Sequence, residues 1–417
     1  MTNPFNQKSK ALCDYFMDWQ KINAKPYDKN KAEPFTKVRV ILMNGTEFEA
    51  NWFLHQLARH TKDNDIRRQV ALVRAQEQQQ QKRIASLKPI DESILENTIA
   101  YEQLAVELTA ILAQNDTDEN NIKSLNFALL EDFDHLYRFS NLLKMDYNIE
   151  SERLVGGYTE IMPGRPTIAH HRFPSDNIKP PLNSKNADLY TILVSSIITA
   201  AEQQTMNYYM NQATFYKNEY GRKMFTEIGL VEEEHVSQYE SLKDPTLTWL
   251  ECWVMHEYTE CYLYYSMMQD EVDEYIKNIY AEHYEMEVTH LKTASECLMK
   301  YENTDYKKIL PDPNFPKLLK FGGNIEYIRK VLETTITLTN QKEDYIDVSK
   351  LDQSSDFALF QKWICPMSAE EPAHVVTDMA IKKFGEDYRY TVAPYPVKEL
   401  ADRKCDNTEI ARPKGCK

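Results

Sequence analysis

The sequence predicts an all-α protein that consists of two tandem four-helix bundles and a C-terminal extension. Two blocks, residues 37–145 and 187–300, show the apolar spacing of amphipathic helices, with breaks where short turns are expected. A connection at 146–186, which includes the string GGYTEIMPGRP, is rich in proline and glycine and separates the two blocks. These observations predict two helical domains in one chain.

The remaining segments are less regular. Residues 1–36 form a polar N-terminal arm, and residues 301–417 form an extension with scattered prolines whose overall fold the pattern does not define. Within this extension, helical periodicity predicts one helix at 324–340 and another near 370–384.

Composition excludes several classes of function. The formal net charge of −15 argues against a nucleic-acid partner or an anionic membrane partner. No stretch approaches the roughly 18 uninterrupted apolar residues of a membrane-spanning helix, and the N-terminus lacks the apolar core of a signal peptide. The seven cysteines contain no CxxC pair. We therefore expect a cytoplasmic protein with reduced thiols.

The two helical blocks are related by a shift of 155 residues, which places Ser86-Leu87-Lys88 on Ser241-Leu242-Lys243. In both blocks acidic residues recur at steps of 30, 25 and 30. They are Glu47, Glu77, Glu102 and Asp132 in the first block, and Glu202, Glu232, Glu257 and Glu287 in the second. An internal duplication accounts for this pattern.

The second block carries the spacing of a dinuclear metal site. Such a site in a four-helix bundle needs one Glu from each of two helices and Glu-x-x-His from each of the other two, because residues three apart share a helix face. Counting from the expected turns near 217, 244 and 271 places all four carboxylates in one layer. The predicted ligands are Glu202, Glu232, His235, Glu257, Glu287 and His290.

These ligands predict the cofactor. Four carboxylates and two neutral imidazoles offset the charge of two divalent ions. Mixed carboxylate and imidazole ligation suits iron or manganese. We expect two Fe ions, with Mn or a mixed Fe/Mn pair as the alternative.

The first block carries a degenerate version of the same site. Its equivalent positions are Glu47, Glu77, Gln80, Glu102, Asp132 and His135. Gln80 stands where His235 stands in the second block, and the side chain of Asp132 is one methylene shorter than that of Glu287. Since an amide oxygen is a weaker donor to Fe or Mn than imidazole, we expect no tightly bound dinuclear centre in this block.

The six-ligand pattern resembles that of the ferritin-like superfamily of dinuclear iron and manganese carboxylate proteins, strongly over 187–300 and partially over 40–145. The resemblance implies an oxidoreductase that activates O2 or a peroxide on a small organic substrate. It also implies an electron donor that supplies the enzyme with electrons. Two alternatives stay open. One is peroxide reduction of the rubrerythrin type, and the other is a non-catalytic ferritin-like metal-binding scaffold.

Two further residues bear on the reaction. His283 precedes Glu287 by four, a pattern similar to that of arylamine N-oxygenases, in which an additional imidazole joins the iron pair. Glu260 follows Glu257 by three, as the additional carboxylate does in rubrerythrins. The alternative interpretation is that His283 simply packs or faces solvent, and that Glu260 lies at the surface.

Other polar and aromatic residues are interpreted as structural. Tyr and Trp crowd the second block and are expected to fill the bundle core. They are Tyr208, Tyr209, Trp253, Tyr258, Tyr262, Tyr264, Tyr265, Tyr280 and Tyr284. His170-His171 is interpreted as a loop pair, and Cys405 and Cys416 as thiols of a C-terminal tail.

The connection between the second and third helices of the second block decides the expected topology. Lys243-Asp244-Pro245 is too short to run back along a helix, as the long crossover of ferritin-like proteins does. We therefore expect up-down-up-down bundles, one in each half. In the alternative arrangement, helical hairpins pair across the 146–186 connection and each site takes ligands from both halves.

Overall fold

The computed structural model describes residues 2–366, 368–387, 389, 394–401 and 404–413. Over these residues the secondary structure is mostly helical, which confirms the predicted all-α class. The helices are α1 (Trp19–Ile22), α2 (Pro34–His60), α3 (Asn64–Ala85), α4 (Ile94–Asn115), α5 (Glu119–Tyr147), α6 (Glu152–Val155), α7 (Leu189–Phe215), α8 (Glu219–Ser241), α9 (Trp249–Asp270), α10 (Glu274–Glu302), α11 (Ile325–Thr335), α12 (Asp356–Ile364) and α13 (Pro372–Phe384). None of these helices combines the length and apolar composition that crossing a bilayer requires.

The extension also contains a small antiparallel sheet, β1 (Leu338–Gln341) and β2 (Asp344–Asp347), with Leu338 opposite Asp347. The helix expected at 324–340 therefore ends at Thr335 and is followed by a strand. The helix expected near 370–384 is α13. Cys416 lies outside the described residues, whereas Cys405 is exposed.

Helix boundaries repeat at the 155-residue shift. The ranges of α2, α4 and α5, moved by that shift, coincide with those of α7, α9 and α10. The end signals repeat too, because Ser93 and Thr248 form capping boxes at the starts of α4 and α9. Asn148 and Asn303 end α5 and α10 in the left-handed conformation, with φ of 54° and 50°. The two blocks thus encode the same four helices.

The chain divides into two compact units, each assembled from separate segments. Unit 1 comprises residues 1–92, 181–204 and 243–321, and unit 2 comprises residues 93–180, 205–242 and 322–417. The boundaries fall between α3 and α4, within α7, and between α8 and α9.

In unit 1, the hairpin of α2 and α3 packs against the hairpin of α9 and α10, through contacts of α2 with α9 and of α3 with α10. The first part of α7 also approaches α2 closely, at Gly45. A Cβ atom at Gly45 would lie only 3.2 Å from the carbonyl oxygen of Ala200 and 2.8 Å from the amide nitrogen of Gln204. Glycine is therefore needed here for close helix packing.

In unit 2, α5 packs along α4 and contacts α8, and α13 of the extension lies against both α5 and α8. The helix α11 adds a further contact to α5. The extension is therefore an integral part of the core of this unit.

The predicted domains, 37–145 and 187–300, do not coincide with the units. The structure has the alternative arrangement, in which the first hairpin of one half joins the second hairpin of the other. The physical reason is that duplicated hairpins present equivalent apolar faces, so periodicity alone does not select the partner. The short connection after α8 leads from unit 2 into unit 1. The predicted N-terminal arm, 1–36, also belongs to unit 1.

A buried arginine joins three segments of unit 2. Arg138 on α5 donates hydrogen bonds from Nε to Asp134 Oδ2 (3.0 Å) and from Nη1 to the carboxylate of Asp406 in the extension (2.5 and 2.6 Å). Asp134 in turn accepts hydrogen bonds from the backbone N–H of Gly164 (3.1 Å) and the hydroxyl of Thr167 (2.8 Å). The network holds the connection and the extension against α5.

We expect Arg138→Met to lower the free energy of unfolding by about 3 to 5 kcal/mol, because it leaves two buried carboxylates without their cation. Urea denaturation followed by circular dichroism measures the change. The matched control is Arg222→Met, which removes an exposed pair with Glu219 and should cost less than about 1 kcal/mol. Equal losses in the two variants would contradict the structural role of Arg138.

Candidate metal sites

Unit 1 contains a cluster of buried carboxylates around one imidazole. Its members are Glu47 on α2, Glu77 on α3, Glu257 and Glu260 on α9, and Glu287 and His290 on α10. The ligand atoms of Glu77, Glu257, Glu287 and His290 lie within 4.8 Å of one another, and so do those of Glu47, Glu77 and Glu260. Because Glu77 belongs to both groups, its carboxylate can bridge two ions.

Unit 2 contains a second cluster, with two imidazoles. The ligand atoms of Glu102 on α4, Asp132 and His135 on α5, and Glu232 on α8 lie within 4.8 Å of one another. His235, one turn after Glu232, places Nδ1 3.1 Å from Glu232 Oε2 and 3.3 Å from Asp132 Oδ1. All five side chains are buried.

The structure distributes the predicted ligands differently from the sequence. Of the second-half set, Glu257, Glu287 and His290 lie in unit 1, and Glu232 and His235 lie in unit 2. Of the first-half set, Glu47, Glu77 and Gln80 lie in unit 1, and Glu102, Asp132 and His135 lie in unit 2. Glu202 is buried on α7, in the part of this helix that belongs to unit 1.

The prediction of one complete site and one degenerate site therefore needs correction. Each unit combines residues from both halves of the sequence, because the hairpins pair across the connection. The substitution of Gln80 for histidine affects unit 1, and the shorter side chain of Asp132 affects unit 2.

Unit 1 holds the additional residues that the sequence suggested. Glu260 joins Glu47 and Glu77, and so adds a carboxylate to the cluster in which Gln80 replaces an imidazole. The amide of Gln80 donates to Glu47 Oε1 (3.2 Å) and to Glu287. His283 is buried with Nδ1 2.9 Å from the hydroxyl of Tyr264 and 4.0 Å from Glu47 Oε1, outside the converging groups.

The unit 1 cluster differs from other buried carboxylates in the chain, because no described Lys or Arg pairs with it. Oε2 of Glu77 and Oε2 of Glu47 have no hydrogen-bond donor among the described residues, and the group nearest to Glu77 Oε1 is the imidazole of His290, at 2.7 Å. Elsewhere, Glu131 pairs with Arg165 and Arg172. Buried carboxylates without fixed cations are costly unless protons or metal ions neutralise them, so the cluster fits a metal site.

The pKa shifts of the carboxylates also indicate that the unit 1 cluster requires neutralising charge. Burial and neighbouring carboxylates raise the pKa of Glu257 to about 8 and the pKa of Glu47 and Glu260 well above the ordinary value. In unit 2, burial would raise the pKa of Glu232, but the adjacent imidazoles of His135 and His235 lower it to about 2. Without metal, protons would have to neutralise much of the unit 1 cluster.

Hydrogen bonds outside each cluster orient the imidazoles. His290 donates from Nε2 to Gln76 Oε1 (2.8 Å), and His235 donates from Nε2 to Glu131 Oε2 (2.7 Å). In each ring the other nitrogen, Nδ1, faces the carboxylates of the cluster. This arrangement leaves Nδ1 available as a metal ligand.

His135 has an imidazole as its outer partner. Its Nε2 donates to Nδ1 of His170 (3.1 Å), and Nε2 of His170 donates to the carbonyl oxygen of Arg165 (2.7 Å). Burial lowers the pKa of His170 well below its ordinary value, which keeps this ring neutral and able to accept. His170 lies in the connection, as the sequence predicted, and outside the groups of converging ligand atoms. Its burial against His135 was not predicted, and its only signal was a histidine pair inside the connection.

Two of the residues that accept a hydrogen bond from a cluster imidazole occupy equivalent positions in the repeat, which the sequence analysis did not recognise. Gln76 immediately precedes Glu77, and Glu131 immediately precedes Asp132. The equivalent residues before Glu232 and Glu287 are Val231 and Met286, which offer no strong acceptor. His135 uses His170 as its acceptor, and the remaining ring position in the repeat is occupied by Gln80.

Aromatic donors also contact the clusters. Trp253 Nε1 donates to Glu257 Oε1 (2.5 Å), and the hydroxyl of Tyr264 donates to Glu47 Oε1. In unit 2, the hydroxyl of Tyr209 donates to Glu102 Oε1 (2.5 Å). These three members of the aromatic set therefore fix carboxylate orientation in addition to filling the core.

A small cavity of about 140 Å³ lies beside the unit 1 cluster. His256 forms part of its wall, with Nδ1 3.1 Å from Glu49 Oε2 and Nε2 3.5 Å from Glu260 Oε2. Apolar side chains, including Phe53 and Met255, line much of the remaining wall. The side chain of His256 therefore lies between the cavity and the candidate ligand Glu260.

No protein-family model, curated protein or solved structure matches this chain. The resemblance to ferritin-like proteins stays a prediction from the ligand spacing in the sequence.

We expect His170→Phe to weaken Mn(II) binding in unit 2 by about 10- to 100-fold, because His135 loses the acceptor that orients its ring. Calorimetric titration of the full chain with Mn(II) measures the affinity. His171→Gln is the control, since His171 contacts Glu227 and no cluster residue. Unchanged affinity in a folded His170→Phe protein would contradict the orienting role.

Proposed function

We propose that each unit is a four-helix bundle with a dinuclear iron or manganese centre, and that the chain is an oxidoreductase that uses O2 or a peroxide on a small organic substrate. The observation that carries the proposal is the convergence of buried carboxylates and imidazole Nδ1 atoms on two points per chain, without fixed cations in unit 1. This donor set matches dinuclear carboxylate sites in helical bundles.

The proposed ligands are divided between the units. Unit 1 would use Glu47, Glu77, Glu257, Glu260, Glu287 and His290. Unit 2 would use Glu102, Asp132, His135, Glu232 and His235. When bound, iron or manganese ions would supply the electrons that reduce the oxidant, and an external donor would replace them.

The side chains of the protein would bind the metal ions and hold the ligand carboxylates in orientation. Glu77 in unit 1, and Asp132 and Glu232 in unit 2, would hold the ions together with the imidazoles beside them. Trp253 and Tyr264 hold ligand carboxylates by hydrogen bonds.

The cavity beside His256 favours an enzyme over a storage scaffold. A fully filled core would suit a scaffold, whereas about 140 Å³ of largely apolar space leaves room for a small reactant. His256 lies between this space and Glu260, so it can carry a proton or position a reactant there.

The metal content of point variants tests the two centres. We expect the full chain, loaded anaerobically with Fe(II) and desalted, to retain about four ions. Glu232→Ala should lose about two of these from unit 2, and His290→Ala about two from unit 1, while the double variant should lose nearly all. Elemental analysis measures the content.

The matched control is Glu233→Ala, which removes an exposed carboxylate next to Glu232 and should keep the wild-type content. A folded chain that takes up no metal would refute both centres. If either single variant lost all metal, the two residues would belong to one centre, as the tandem arrangement predicted.

Filling the unit 1 cavity tests catalysis. Ser196 lines the cavity, and we expect Ser196→Phe to slow the peroxide-dependent oxidation of the Fe(II) held in unit 1 at least about tenfold while the iron content stays constant. Stopped-flow absorbance measures the rate. Ser237→Phe, on α8 in unit 2, is the control. An unchanged rate in Ser196→Phe, or an iron-loaded wild type that consumes no oxidant, would favour the scaffold.

A further inference from the structure

Unit 2 contains a larger cavity, of about 460 Å³, away from its carboxylate cluster. We call it the α8 cavity, because one wall is α8 at Glu227, Leu230 and Glu234, and the facing wall is Phe360 and Ile364 of α12. Its volume lies in the range of small-molecule binding sites, which is about 300 to 1,000 Å³.

Exposed apolar side chains line the mouth of the α8 cavity. Leu230 on α8 is 50% exposed and Ile364 on α12 is 40% exposed, although both could have packed inward. Inside the cavity, the buried Ile168 and the half-buried Phe360 continue the apolar lining. A contiguous exposed apolar surface with polar neighbours is typical of a ligand site.

The polar part of the cavity is strongly acidic. Its lining contains five glutamates, Glu227, Glu233, Glu234, Glu370 and Glu371, against Lys223 and His171 as basic groups. Such a wall repels anions and attracts a cation.

Two buried glutamates of this wall differ in their partners. Glu227 is satisfied, because it accepts from the backbone N–H of Ala373 (2.7 Å) and contacts His171 Nε2 at 3.3 Å. Glu234 is 7% exposed and its Oε2 has no hydrogen-bond donor among the described residues. Its nearest cation is Arg172, with Nη1 3.5 Å away.

The Nη1 atom of Arg172 is committed to another carboxylate. It donates to both oxygens of Glu131, at 2.8 and 2.7 Å. Glu234 therefore retains acceptor capacity in a largely buried setting, where a charge-assisted hydrogen bond is strong.

We propose that the α8 cavity binds a small organic ammonium ion, a protonated primary amine with an apolar body. The ammonium group donates to Glu234, and the apolar body packs against Leu230, Phe360 and Ile364. The site is distinct from the metal clusters, because none of the candidate metal ligands lines the α8 cavity. It requires the fold of unit 2 and no particular activity.

Calorimetry with three probes of equal chain length tests the charge requirement on the full chain. At neutral pH we expect n-hexylammonium to bind at least tenfold more tightly than n-hexanol, and hexanoate to show no binding. Equal affinity for hexylammonium and hexanol would overturn the proposal, as would preferential binding of hexanoate. A lysine-rich peptide that binds while hexylammonium does not would also overturn it.

Variants locate the site. Ile364→Trp fills the mouth from an exposed position on α12 and should abolish hexylammonium binding. Glu234→Gln should weaken it at least tenfold, while Glu219→Gln, an exposed glutamate on the same helix outside the cavity, should leave it unchanged. Undiminished binding in Ile364→Trp would overturn the assignment. Metal content measured on the same samples separates this result from failure of the metal centres.

Discussion

Mutual repulsion among buried carboxylates is the constraint that the rest of this structure must satisfy. In unit 1, five glutamates share a space that contains one clustered imidazole and, among the described residues, no lysine or arginine. Bringing such groups out of water costs several kcal/mol for each ion unless opposite charge accompanies them. Helices α2, α3, α9 and α10 can pack around this cluster only if protons or divalent cations neutralise it.

Buried carboxylates outside the two clusters are neutralised in other ways. Asp134 and Glu131 are paired with buried arginines, and Glu271 is paired with Arg39 at 2.8 Å. Glu107 has only neutral hydrogen-bond partners, and burial raises its pKa to about 7. The carboxylates of the unit 1 cluster are neither paired with a fixed cation nor isolated as a single neutral acid. This distinguishes them from the structural carboxylates.

The two clusters reach similar donor sets by different substitutions. Unit 2 contains two imidazoles and, at Asp132, a carboxylate on a shorter side chain. Unit 1 replaces one imidazole by Gln80 and gains Glu260 on the facing helix. Each imidazole also has an outer acceptor, and the acceptor for His135 comes from the connection rather than from a helix. The proline-rich connection is therefore part of the architecture of the site.

Local information in the sequence determined the helices, their repeat and the identity of the candidate ligands. Apolar periodicity, capping residues such as Ser93 and Thr248, and three-residue spacing act within a few turns, so they can be recognised without knowing the fold. Only the tertiary structure decided which hairpins share a core, and hence that Glu77 lies beside His290 rather than beside Glu102. Duplication made the competing apolar faces equivalent, and the outer partners Gln76, Glu131 and His170 became recognisable only after the hairpins were paired.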